Sequence, residues 1–246
     1  MPEWLITVVS VSISTIGAII SVAISRRAAR EERLSAAEEL IKKFREPLLQ
    51  AASNLETRIY NIVKLDFFGR FLAAGSTDSE KEYAVLNTMH VFAQYFCWAE
   101  IVRRESQFVD PRDDQMNRAH AAGMEAVNDA FADSIGIQDK CFRFFRGEQR
   151  ALGEMMLVPT GVSTPGIPRW ECLGYAAFVR SLEDEQMARW FRRLREDIEA
   201  FAENPANRDG RLRLIQRRLM DVIDLLDPDA HSVPERLRKR LAAPPS

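Results

Sequence analysis

The stretch from Trp4 to Ser25 constrains the layout of the chain most, because it runs for 22 residues without a charge. At 1.5 Å rise per residue a helix of that length spans about 33 Å, and the hydrocarbon core of a bilayer is about 30 Å thick. Trp4 stands where an interfacial aromatic belongs, and Arg26, Arg27, Arg30 and Arg33 flank the other end. The Met-Pro-Glu leader lacks the positive charge that precedes the apolar run of a cleavable signal. The segment therefore reads as a single-pass inner-membrane anchor at 4–25, N-terminus outside and body cytoplasmic.

Within that segment Thr7, Ser10, Ser14, Gly17 and Ser21 step by 3, 4, 3 and 4, which places them on one helix face. Ile6, Ile13, Ile16, Ile20 and Ile24 fall mostly elsewhere. Small residues at such spacing let two helices approach closely, and hydroxyls can hydrogen-bond across the contact. The stripe therefore points to membrane self-association, with a homo-oligomer as the expected partner state. Two other readings stay open. Hydroxyls off the stripe at Ser12 and Thr15 fit simple back-bonding to the helix's own carbonyls, and a wet, pore-lining face is a third use.

The remaining 221 residues are enough for a sizeable core, and 46% of the chain is hydrophobic against 28% charged. A net charge of −2 argues against a specific nucleic-acid partner. Cys97, Cys141 and Cys172 are odd in number and widely spaced, which suits a reducing compartment better than a disulfide framework. With three histidines, none beside a cysteine, neither a metal site nor a cofactor is expected.

Helical spacing dominates this body. A charged juxtamembrane helix occupies 26–46, and Pro47 is placed at the first turn of the next helix, where Leu48, Ala52, Leu55, Ile59 and Ile62 form an apolar stripe. Ser79 and Glu82 make an S-x-x-E capping box for a helix with Val85, Met89, Phe92, Phe96 and Ala99 along one face. Further helices are predicted from Asp110-Pro111 to about Gly136, from about Gln138 through CFRFFRGEQRALGEMML, and at about 170–182, 185–202 and 211–226. The stretch 158–169, with three prolines and two glycines, is the longest internal break. No strict alternation marks a strand. The expected architecture is all-α: an N-terminal transmembrane helix, a multi-helix cytoplasmic bundle over 47–228, and a basic flexible tail at 229–246.

Two polar constellations stand out. Arg146, Glu148, Gln149, Arg150 and Glu154 lie between aromatics and two glycines, and arginines near carboxylates can clamp a phosphate or position an acid. The competing reading is a structural network with an Arg150–Glu154 surface pair, since no phosphate loop or paired nucleophile and base is present. The second is a helix face of Tyr83, Asn87, His90 and Gln94, stepping 4, 3 and 4. His90 has acid–base potential near neutral pH, but an interhelical hydrogen-bond network explains the face as well. Neither group defines a catalytic residue.

The segments KFREPLLQAASNLETRIYNIV, EYAVLNTMHVFAQYFCWAEIVRRESQF and FRGEQRALGE resemble a group of bacterial proteins that pair an N-terminal span with a helical cytoplasmic body. The resemblance covers about residues 40 to 227. It implies a bacterial origin and this layout, and it supplies no catalytic residue. Some anchored helical proteins of bacterial immunity are similar to the HEPN nucleases, whose signature places an arginine four to six residues before a histidine. His90, His120 and His231 all lack an arginine in that window. The leading expectation is a non-enzymatic module that binds itself or a protein partner; the rival is a membrane-tethered effector, pore-forming or nuclease-like, built on one of the polar groups.

Overall fold

The computed structural model describes residues 25, 27, 43–105, 115–132, 140–161, 170–205 and 209–243. The anchor stretch with Thr7, Ser10, Ser14, Gly17 and Ser21, and most of the juxtamembrane segment, lie outside the described residues. Among the described residues no helix is long and apolar enough to cross a membrane.

The body is all-α in character. Helix α1 occupies 43–64. It is followed by α2 (Phe67–Phe71), α3 (Asp78–Glu105), α4 (Gln115–Ala132), α5 (Arg146–Met155), α6 (Tyr175–Ser181), α7 (Glu185–Glu203) and α8 (Gly210–Leu226). One two-stranded hairpin interrupts the series between α5 and α6: β1 (Leu157–Pro159) pairs antiparallel with β2 (Trp170–Cys172), Val158 opposite Glu171.

The apolar stripe of α1 is buried as its spacing demands: Leu48, Ala52, Leu55, Ile59 and Ile62 all lie in the core. So do Val85, Met89, Phe92 and Phe96 of α3. Helix α3 is the axis of the fold, packing against α2, α5, α6, α7 and β2, while α4 packs chiefly on α8. Phenylalanines fill the space between these layers. Phe92 stacks on Phe142 with centroids 5.4 Å apart, Phe96 meets Phe131 at 4.8 Å, and Phe142 and Phe68 both reach Phe201 of α7. A ring pair of this kind adds about 1 kcal/mol beyond its buried area.

Several expected boundaries move. Pro47 does not open a helix; the helix is already formed at residue 43 and runs through it. The capping box of α3 sits two residues earlier than Ser79–Glu82. Thr77 Oγ1 accepts from the Glu80 N–H at 3.3 Å while Glu80 accepts the Thr77 N–H at 2.8 Å. Helix α5 starts at Arg146 rather than near Gln138, because the preceding residues alternate inward and outward: Phe142 and Phe144 are buried, and Phe145 is exposed. Phe142 also adopts a positive φ of 56°, which no helix tolerates in its interior. The break at 158–169 is flanked by strands, and Trp170–Cys172 belongs to β2 rather than to a helix.

The expected flexible tail is packed through residue 241. Asp227 accepts the backbone N–H groups of His231, Ser232 and Val233 at 2.9–3.1 Å. Arg238, 6% exposed at its side chain, donates to the Asp227 carboxylate at 2.8 Å and to Asp224 at 2.9 Å. Arg240 bridges Asp221 and Asp224 at 2.6 Å each. Val233 and Leu241 enter the core, and Gln216 of α8 clasps the segment by donating to the Lys239 carbonyl and accepting from the Leu241 N–H. Arg238 and Arg240 thus face acidic partners on and just after α8 instead of solvent.

Candidate functional site

The Arg146–Glu154 group is divided among three neighbouring helices. Arg146 Nη2 donates to Glu125 and Asp129 of α4, both at 2.6 Å. Glu148 accepts the Phe145 N–H at 2.7 Å, capping α5, and pairs with Arg193 of α7 at 3.2 Å. Gln149 is buried and donates to the Asn128 and Phe144 carbonyls. Glu154 pairs with Arg104 of α3 at 2.8 Å, not with Arg150, which is exposed. These residues converge on no common point. Each of the charged ties joins α5 to a different neighbour.

Glu154 joins a second polar group that sequence spacing shows only in part. Glu100, 2% exposed at its side chain, accepts two bonds from Arg103 at 2.7 Å and one from Arg104 Nε at 2.6 Å. Burial alone would raise its carboxyl, but the two guanidiniums hold it below the ordinary carboxylate range. Arg104 also lies over the Trp170 ring, which fastens β2 to α3. Beside it, Cys97 and Cys172 meet across the same contact although 75 positions separate them, and both are free thiols. The neighbouring Cys172 and burial together push the Cys97 thiol up, the opposite of what a nucleophile needs.

The face on α3 is brought together with residues from two other elements. Gln94 accepts from Asn54 of α1 at 3.3 Å. Asn87 accepts from Arg58 Nη2 of α1. Tyr83, 50% exposed, stands edge-on to Tyr175 of α6, with centroids 6.3 Å apart. His90 lies between Tyr175 and Phe178, 5.5 Å from each ring, with Nε2 3.2 Å from the Leu173 carbonyl. Burial pushes its imidazole down, against the opposing pull of that carbonyl, so the ring is neutral at pH 7 and Nε2 carries the proton it donates.

Arg58 and Tyr175 complete this junction, and neither is visible from the α3 pattern. Arg58 lies against Phe67, its guanidinium carbon 4.2 Å from the ring centroid. Burial pushes the guanidinium down, while Tyr83 and Tyr175 pull it up. Burial also raises the Tyr175 hydroxyl, helped by Tyr83 and Glu82. The available signal is the step from Asn54 to Arg58, a polar row of period four beside the buried α1 stripe. Chemically, the junction offers a cation, hydroxyl donors and an amide around a neutral histidine; no nucleophile is paired with a base.

A shallow groove of about 210 Å³ runs between α5 and α7, lined by Phe144, Glu148, Leu152, Arg189, Trp190 and Arg193. Trp190 is 48% exposed there. Among the described residues no group of three or more His, Cys, Asp or Glu side chains is arranged to hold a metal ion. No family model, curated protein or solved structure matches the chain.

Proposed function

We propose that this protein is a single-pass, membrane-anchored helical module that works by association, with copies of itself and with protein partners, and not by catalysis. One observation carries the reading: the polar residues that most resemble a catalytic cluster are engaged in separate ties to α3, α4 and α7. Ion pairs used in this way fix helix register and leave no convergent acid, base or nucleophile. Further support comes from the uncharged Trp4–Ser25 segment with its small-residue stripe, and from the half-exposed Trp190, a residue type enriched in binding hot spots. The arginines after the anchor favour a cytoplasmic body.

The test is the oligomeric state of the full chain in detergent, measured by light scattering at several concentrations, beside Ser14→Leu and Gly17→Leu. Wild-type protein is expected to self-associate, and each bulky substitution on the stripe is expected to shift it toward monomer. A monomeric wild type, with both variants unchanged, overturns the association reading. Labelling of a cysteine introduced near Arg30 by a reagent confined to the periplasm would overturn the topology.

A further inference from the structure

We infer that the junction of α1, α3 and α6 is a binding site for a carboxylate group, held by Arg58 and the hydroxyls of Tyr83 and Tyr175. Among the described residues, Arg58 makes no ion pair with a carboxylate. Its Nη2 is engaged by the neutral Asn87 side chain and the Tyr83 hydroxyl lies against the group, while among the described residues no hydrogen-bond partner stands within normal distance of the buried Nη1. The Tyr83 hydroxyl hydrogen-bonds toward this guanidinium and Tyr175 lies close by, with no carboxylate among the described residues paired to it. Arg104 and Arg238 meet carboxylates directly, at Glu100 and Asp227, while buried Arg211 donates to backbone carbonyls at the end of α4. A half-buried guanidinium without an anion costs free energy that ring stacking on Phe67 offsets only in part.

The surroundings suit an anion supplied from outside. Tyr83 is half exposed with its hydroxyl against Arg58, so the edge of this junction borders solvent, and the hydroxyl can donate to an anion brought beside the guanidinium. Tyr175, packed edge-on against Tyr83 and His90, carries a second hydroxyl close enough to Arg58 to feel its charge. Arginine's planar fork matches a planar carboxylate, and the aromatic rings around it favour an apolar body behind the charged group.

Arg58 is the positive charge of the site, because His90 is neutral and donates to the Leu173 carbonyl. Glu82, whose charge acts on Tyr175, makes a dianion unfavourable. A singly charged carboxylate therefore fits better than a phosphate monoester. Such a group is found on a free organic acid or at the C-terminus of a peptide. The site does not depend on self-association, since a monomer would present it equally.

The experiment is titration calorimetry of the full chain in detergent at fixed ionic strength, with benzoate, the tripeptide Gly-Gly-Phe, its C-terminal amide, and inorganic phosphate. Saturable binding of benzoate or of the free tripeptide is expected, with no binding of the amide or of phosphate. Preference between the first two identifies the source of the carboxylate. Arg58→Gln should weaken binding by about tenfold or more, and Tyr83→Phe by a few-fold. Tyr83→Phe removes one hydroxyl from a half-exposed ring without changing the ring's size, so it remains informative if Arg58→Gln fails to fold. Absence of saturable binding by either carboxylate overturns the assignment. So does equal binding of the amide, tighter binding of phosphate, or full affinity in Tyr83→Phe together with a folded Arg58→Gln.

Discussion

Two buried glutamates show how much a single neighbour decides. Glu56 of α1 is 5% exposed and meets the Gln216 amide at 2.6 Å and the Thr57 hydroxyl at 3.3 Å. Burial raises its carboxyl, and these neutral donors reverse only part of the shift. Glu100 is as deeply buried but faces two arginines, and its shift is downward. The consequences for stability have opposite signs. A raised folded-state value means the native state holds the extra proton, so Glu56 costs stability as pH rises through that value. Glu56→Gln should therefore stabilise the protein by about 1 kcal/mol near pH 7, with the gain fading as pH falls through the raised folded value and gone once pH is below the ordinary glutamate value. For Glu100 the contribution is complete above the ordinary glutamate value and is lost as pH falls through the lower folded value. Glu100→Gln should cost about 2 kcal/mol at neutral pH, the difference from wild type shrinking below about pH 4. Urea unfolding at a series of pH values checks both. Parallel pH dependence in the two variants would contradict the assignment.

At the scale of elements, the glycines of α5 make a sharper test than its charges. A Cβ on Gly153 would lie 2.4 Å from the Phe96 carbonyl oxygen and 3.1 Å from Glu100 Cβ, because α5 crosses α3 backbone to backbone at this point. A Cβ on Gly147 meets nothing within 4 Å. Alanine is preferred over glycine in a helix by about 1 kcal/mol, so the two substitutions should differ in sign. Gly147→Ala should be neutral or stabilising by about 0.5 kcal/mol, while Gly153→Ala should destabilise by about 2 kcal/mol or more through overpacking. Thermal unfolding of the pair distinguishes a close helix crossing from general helix propensity. Both glycines look alike in FRGEQRALGE, and only the crossing separates them.

The same distinction governs which elements are legible in the residues alone. Long helices with an apolar stripe, α1 and α3 above all, are legible because burial repeats every three or four residues over many turns. The three-residue strands are not, since so short a run cannot display alternation. The start of α5 is hidden because aromatic CFRFF fits either a helix or an extended segment, and it is the pairing of Phe142 with Phe92 that selects the latter. At the candidate site, Tyr83, Asn87, His90 and Gln94 share one helix face, and spacing alone finds them. Arg58 and Tyr175 arrive from other helices, and no local pattern encodes that meeting. Arg211 is hidden for a related reason: fully buried, it donates to the Ala130 and Phe131 carbonyls at the end of α4, a helix whose C-terminal partial charge favours a cation.

For the molecule as a whole, the segment after α8 decides whether the bundle is closed. Its composition, PERLRKRLAAPPS, reads as a solvated basic tail, yet Asp221 and Asp224 of α8 and Asp227 at its end line the face it crosses. Asp227 is the centre of this closure. Its burial would raise the carboxyl, but three backbone N–H donors and Arg238 hold it below the ordinary aspartate range. Arg45 of α1 reaches the same corner, donating to the Leu226 carbonyl and lying 4.0 Å from the Asp227 carboxylate, so α1 and α8 are joined there. Asp227→Asn removes the charge and replaces one acceptor oxygen with a donor, leaving buried Arg238 with the more exposed Asp224 as its remaining carboxylate. A loss of about 2 kcal/mol is expected, concentrated in release of this segment. Trypsin gives the readout, because Arg236, Arg238, Lys239 and Arg240 are cleavable only when the chain leaves α8. Wild-type protein should resist cutting at these positions at neutral pH, and Asp227→Asn should be cut there while the rest of the bundle stays intact. Rapid cutting of the wild type at the same positions would mean that the segment does not close the bundle, and that Asp227 serves α8 alone.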